Sequence, residues 1–211
     1  MRKLILFLWL LVPVTVGAYH YGPGQDRIRA DRAAEMAARA EKAARDAALV
    51  ADVQGDLAAK TYWAEAVDAY TEAIELLPND RVDEGRALRL ELAKAQMFVS
   101  GLPEARRNLE ILVEELTGDE DADADLLADA RGALANAQYY TTWLMRLEGA
   151  PRDEWEPEIE ASRQNYKLIA ESATEAGDEK LAMLSSENVE SAIRLARMDL
   201  SELQGLPLPS Q

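Results

Sequence analysis

The sequence predicts an all-α protein, and three observations carry that prediction. Alanine supplies much of the apolar content, most densely between Ala30 and Ala73, and alanine is the best helix former because it loses no side-chain entropy. Valine and isoleucine cluster nowhere beyond the N-terminus, which leaves strands without the β-branched runs that suit them. Apolar residues recur at three- and four-residue intervals along the chain, the spacing of one helix face. Hydrophobic residues make up 48% of the chain but aromatic ones only 6%, so the core must be built from small and aliphatic side chains.

The first element is a leader. Met1-Arg2-Lys3 is a short basic stretch, Leu4 to Val12 is apolar, and Val16 and Ala18 stand where a signal peptidase cuts before Tyr19. No charge occurs from Leu4 to Gln25, so Leu4–Ala18 also suits retention as an inner-membrane anchor or, less simply, a buried helix. With Arg2 and Lys3 in the cytoplasm, an anchored body faces the periplasm; cleaved or anchored, the chain reads as exported. Tyr19–Gln25 contains Gly22-Pro23-Gly24 and reads as a linker. The helical body spans Asp26–Gln204, with Asp26 as the first N-cap, and Gly205–Gln211 reads as an extended tail.

From Asp26 to Lys60 the chain reads as one long helix or as two with a break at Gly55, the single glycine there. Ile28, Ala34, Ala38, Leu49, Val53 and Leu57 define its apolar stripe. Up to Asp46 this stretch lacks large apolar residues other than Ile28 and Met36, and reads as a stalk exposed to solvent or laid against a partner.

Next comes Trp63-Ala-Glu-Ala66-Val-Asp-Ala-Tyr70-Thr-Glu-Ala73-Ile-Glu-Leu-Leu-Pro78. Its order of a small residue, an aromatic, an alanine and a proline resembles the second helix of a tetratricopeptide repeat (TPR), a helix–turn–helix unit of about 34 residues. Ala47–Asp80 matches that length. The resemblance implies a turn at Thr61-Tyr62-Trp63, with Val50, Val53 and Leu57 facing inward from the first helix and Ala66, Tyr70 and Ala73 from the second. A second unit follows over Arg86–Asp119, with Leu92–Phe98 in its first helix, a turn at Gly101-Leu-Pro103, and Ala105, Leu109 and Leu112 repeating the inward positions. Leu134-Ala-Asn136-Ala-Gln repeats Leu92-Ala-Lys94-Ala-Gln and opens a third unit. That unit carries an insertion over Thr141–Trp155, read as a helix extended through Glu148 and a loop Gly149–Asp153, before a second helix from Pro157. A last helix over Asp178–Leu203, with Leu181, Leu184, Val189, Ile193, Ala196, Leu200 and Leu203 as its stripe, closes the stack as a cap. The resemblance implies antiparallel hairpins in a short right-handed solenoid and a protein-binding scaffold of exported bacterial type.

Charge and chemistry narrow the function further. With 39 acidic and 23 basic residues the net charge is −16, a surface that repels nucleic-acid phosphates. No cysteine is present and His20 is the single histidine, which removes thiolate sites, histidine metal clusters and a Ser–His–acid triad from the body. The acidic run Asp119–Asp125 lacks the glycine and glutamate of a helix–loop–helix calcium loop. It reads instead as a loop and helix start, where negative charge meets the positive end of the helix dipole. Neither an enzyme nor a cofactor is therefore expected.

The candidate partner-binding residues are Lys94, Met97, Phe98, Asn136, Tyr139, Tyr140, Trp143 and Arg146. Tyr140, Trp143 and Leu147 are expected on one face, with Arg146 as a cation–π partner; Tyr, Trp and Arg dominate binding hot spots, although such a stripe also suits a core. The TPR carboxylate clamp is not carried over. The matching positions are Ala48, Ala51, Gly55, Ala58 and Ala59 in the first unit and Ala87, Leu90, Lys94, Met97 and Phe98 in the second, and only Lys94 fits. The expected function is a non-catalytic scaffold for another envelope protein; the other reading is an anchored structural subunit of a membrane complex.

Overall fold

In the computed structural model the described residues are 23–205, together with Trp9, Val12, Pro13, Thr15, Gly17 and Tyr19. Apart from those isolated positions, the leader and most of the linker lie outside the described residues, as does the tail over 206–211. Among the described residues no helix is long and apolar enough to cross a membrane. Residues 23–205 form eight helices: α1 Pro23–Gln54, α2 Asp56–Leu76, α3 Val82–Phe98, α4 Leu102–Thr117, α5 Ala124–Leu147, α6 Arg152–Ala176, α7 Glu179–Arg197 and α8 Leu200–Gln204. No strand occurs among the described residues, in accord with the predicted all-α class.

The alanine-rich stretch is a packed hairpin, which corrects the exposed-stalk reading. Ala33, Ala40 and Ala47, with Ala43, are buried on α1, and Ala59, Ala66 and Ala73 are buried on α2. Both series step by seven, the repeat that keeps one seam turned toward a partner helix. Arg29 reaches the Glu75 carbonyl and Arg39 pairs with Glu65, so the two helices run antiparallel. The expected stripe is wrong throughout: Ile28, Ala34, Ala38, Leu49, Val53 and Leu57 are all exposed. Small alanines won because they allow close approach of two backbones, which large side chains at the seam would prevent.

The chain reverses at Gly55, where φ is 86° and ψ 165°, a region essentially reserved for glycine. Thr61, Tyr62 and Trp63 lie inside α2, so the expected turn there is not present, and Val53 and Leu57 do not face inward. Helix α1 also starts earlier than expected. It is described from Pro23, and Asp26 sits in its first turn rather than at the cap.

The later elements follow the prediction more closely. Ala66, Tyr70 and Ala73 are buried on α2, and Ala105, Leu109 and Leu112 on α4, with Pro103 in the first turn of α4. Helix α5 ends at Leu147 with Glu148 as its C-cap, one residue short of the expected end. Helix α6 starts at Arg152 with Pro157 inside it, five residues before the expected start; at the sixth position the proline forgoes the hydrogen bond an N–H would make to the Asp153 carbonyl. The last helix is two. Helix α7 stops at Arg197 and α8 restarts after Asp199, whose side chain forms a capping box with Glu202. Its buried face is Ser185, Ala192 and Leu195, whereas Leu181, Leu184 and Leu200 are exposed.

Helices α1 to α7 pack chiefly on their neighbours in sequence, with added contacts between α3 and α5, whereas the short α8 packs on α5. The core accordingly divides into three successive clusters: alanines and Tyr70 across α1–α3, leucines across α3–α5, and Trp143, Trp155, Ile159, Leu195 and Leu203 across α5–α8. Arg86 on α3 is 8% exposed. It binds Glu115 at 2.9 Å and Asp119 at 2.8 Å, tying α3 to the end of α4.

Candidate functional site

Four helices surround a groove of about 490 Å³. Helix α3 contributes Lys94, Met97 and Phe98, α5 contributes Gly132, Asn136 and Tyr140 among others, α6 contributes Tyr166 and Ile169, and α7 contributes Leu181, Leu184, Ser185 and Asn188. The walls are largely apolar, with a few convergent amides and hydroxyls, the usual make-up of a recognition cleft.

The polar groups are held in place. Lys94 Nζ donates to Glu91 at 2.6 Å. The Tyr166 hydroxyl donates to Asn136 Oδ1, which fixes the amide with its NH2 group still available. Burial, reinforced by Tyr140 and Tyr139, raises the Tyr166 pKa, and burial first, then Tyr139 and Asp56, pushes Tyr140 up to about 12. Both phenols are therefore neutral hydrogen-bonding groups at physiological pH. Phe98 stacks on Trp63 of α2 with centroids 4.2 Å apart and planes 7° from parallel, so its ring is braced from behind. Gly132 leaves the groove open: a Cβ there meets only Ile169 Cδ1, at 3.9 Å.

The structure divides the eight candidate residues. Lys94, Met97, Phe98, Asn136 and Tyr140 come together on the groove. Tyr139, Trp143 and Arg146 face the other way, into the cluster formed with α6, α7 and α8. Trp143 is 5% exposed and packs against Tyr139 at 6.3 Å between centroids. Arg146 lies 4.7 Å over the Trp155 ring and donates to the carbonyls of Leu195 and Met198, closing the end of α7. Burial lowers its pKa and Asp199 acts against that. The expected face of Tyr140, Trp143 and Leu147 is divided along its length: Tyr140 lines the groove, whereas Trp143 and Leu147, one and two turns further on, pack into the cluster with α6, α7 and α8. The cation–π partner expected for Arg146 is present, within the core.

Sequence reasoning missed the α6 and α7 walls. Tyr166 and Ile169 carry no local mark of a groove, and Leu181 and Leu184 were assigned to a buried stripe. Their exposure was the available signal, but it exists only once α7 is placed. The acidic run takes the structural roles expected for it. Asp119 accepts from the Asp121 N–H, and Asp123 caps α5 by accepting from Asp125 and Leu126. Comparison with family models, with curated proteins and with solved structures gives no match.

Proposed function

We propose that this chain is an exported, non-catalytic, TPR-like scaffold that binds another protein of the cell envelope in the groove between α3, α5, α6 and α7. One observation carries the reading: residues far apart in sequence build a largely apolar groove with the fixed Asn136 amide and two neutral phenols, its lysine paired with Glu91 and Asp129 the single carboxylate of its lining. Such a surface offers shape and hydrogen bonds rather than an acid–base pair poised near neutrality. The helix pairing supports a repeat scaffold, since Ala66, Tyr70 and Ala73 on α2 and Ala105, Leu109 and Leu112 on α4 occupy equivalent buried positions. The long α1 and its turn at Gly55 depart from the repeat plan, and place the framework of the first hairpin in alanine packing. Export rests on the leader sequence; a mature N-terminus at Tyr19, read by intact mass, is the expected result, and retention of Met1–Ala18 would favour the anchored subunit.

The groove is tested by filling it. Gly132→Leu projects into open space beside Ile169, and Leu184→Ser removes an exposed apolar wall residue. Partner capture from solubilised envelope, with photo-crosslinkers at Asn188 and, as a control, at exposed Met183, should be lost in Gly132→Leu and map to Asn188. An unchanged crosslink pattern in a folded Gly132→Leu protein removes the groove from consideration.

A further inference from the structure

On the other side of Met97 and Phe98 lies a second depression, of about 730 Å³, between the end of α3, the start of α4 and the C-terminal half of α5. Its apolar part includes Met97, Phe98, Leu102, Met145 and Leu144, the last 42% exposed. Asp56, the first residue of α2, reaches it directly after the Gly55 turn. Around that turn stand Leu49, Val53 and Leu57, at 68%, 78% and 87% exposure. Exposed apolar side chains on both sides of one turn, beside an apolar depression, suit an interaction site.

The charge at the rim says what fits. Its two arginines are already neutralised: Arg106 by Glu158 through two hydrogen bonds, of 2.8 and 2.5 Å, and by Glu110 at 3.2 Å, and Arg107 by Glu104 at 2.9 Å. Asp56 and Glu148 form no ion pair among the described residues. Lys60 Nζ, which donates to Ser100 Oγ of the lining at 3.1 Å, adds a cation with no carboxylate partner among the described residues, so the two unpaired carboxylates against one ammonium leave the rim negative, on a chain of net charge −16 that disfavours a second copy of itself or an anionic lipid surface. The described residues hold no strand, so an extended segment finds no backbone edge to pair with, whereas a helix brings its own backbone satisfied. We infer that this depression is a second docking site, separate from the groove, for a cationic amphipathic helix of another protein. The apolar face of that helix lies on Met97, Phe98 and Leu144, and its Lys or Arg side chains meet Asp56 and Glu148.

The test uses the full chain and a labelled helical peptide of about 15 residues, long enough to hold a helix, with Leu on one face and Lys on the other. Matched peptides carry Gln or Glu in place of Lys. Anisotropy should show binding of the Lys peptide that weakens with salt, and weakens about tenfold in the pair Asp56→Asn/Glu148→Gln and in the pair Leu57→Ser/Leu144→Ser. The exposed pair Asp68→Asn/Glu187→Gln and the groove variant Leu184→Ser should bind as wild type. All these positions are exposed, Leu144 and Leu184 by 42% and 44%, so folding is preserved. Equal weakening in the Asp68/Glu187 pair means a diffuse acidic field and overturns the site. Equal binding of the Gln peptide overturns the cation requirement, and loss only in Leu184→Ser moves the peptide to the other groove while leaving the scaffold reading intact. A wild-type dimer in sedimentation that the Leu57/Leu144 pair converts to monomer makes the occupant a second copy, and no binding of any peptide rejects the assignment.

Discussion

Trp143 shows how a residue suited to binding comes to serve the core. It is 5% exposed among Trp155, Ile159, Ala192, Leu195 and Leu203, yet its indole Nε1 finds no hydrogen-bond partner among the described residues. Truncating it removes a large buried side chain, so Trp143→Ala should cost about 3–5 kcal/mol. Trp143→Phe keeps most of the packing and removes the orphaned donor, whose burial itself costs about 1–3 kcal/mol, so it should stay within about 1 kcal/mol of wild type. Urea denaturation midpoints for the two variants check this; an equal loss in both would show that the N–H is satisfied. Arg146 belongs to the same argument. Its two bonds to carbonyls at the end of α7 make Arg146→Met expensive, by about 2–3 kcal/mol, and the loss should loosen α8 first, read by hydrogen exchange at Leu203.

At the scale of elements, the α1–α2 hairpin is the distinctive part. Its seam has no side chain larger than alanine at Ala33, Ala40, Ala47, Ala59, Ala66 and Ala73, so its stability comes from close approach and many small dispersion contacts. Ala66→Trp should overpack the seam and cost about 1–3 kcal/mol or more; an unchanged melting temperature would refute the packing. The turn is equally specific. At φ 86° and ψ 165° a Cβ meets no neighbour but the backbone is strained, so Gly55→Ala should cost about 1–3 kcal/mol by conformation alone, and Gly55→Asn should not rescue it fully. Thermal melts of the two variants measure this. The alanine heptads were legible in the chain, but they were outweighed by the larger Leu49, Val53 and Leu57, because a periodicity search rewards size whereas a tight helix pair rewards its absence.

Across the whole molecule, stability should depend on pH through the α3–α4 network. Hydrogen bonds from Arg89 and then Arg86 hold the Glu115 pKa below its usual value, and Arg86 followed by the Asp121 N–H does the same for Asp119. A carboxyl depressed in the folded state contributes stability that is full above its ordinary pKa and is lost as pH falls through the folded value. Wild-type melting temperature should therefore fall between about pH 5 and about pH 3, and Arg86→Met should flatten that part of the curve while lowering stability at neutral pH. Parallel curves for the two proteins would place the acid sensitivity elsewhere in the acidic surface.

The chain by itself determined the helical class, the helix boundaries at Pro78, at Gly101–Pro103 and at Asp178, the inward faces of α2 and α4, and the acidic surface. These depend on local propensity, proline and glycine placement, and charge, all of which act within a few residues. It also pointed to Lys94, Met97, Phe98, Asn136 and Tyr140. Only the tertiary structure decided that these five share a groove while Tyr139, Trp143 and Arg146 are core, because a helix step of 100° separates Tyr140 from Tyr139 and neighbouring helices choose which face they cover. The same holds for α1, whose seam is alanine, and for the α6 and α7 walls of the groove. Which face of a helix is buried is settled by what packs against it, and that information lies in residues distant along the chain.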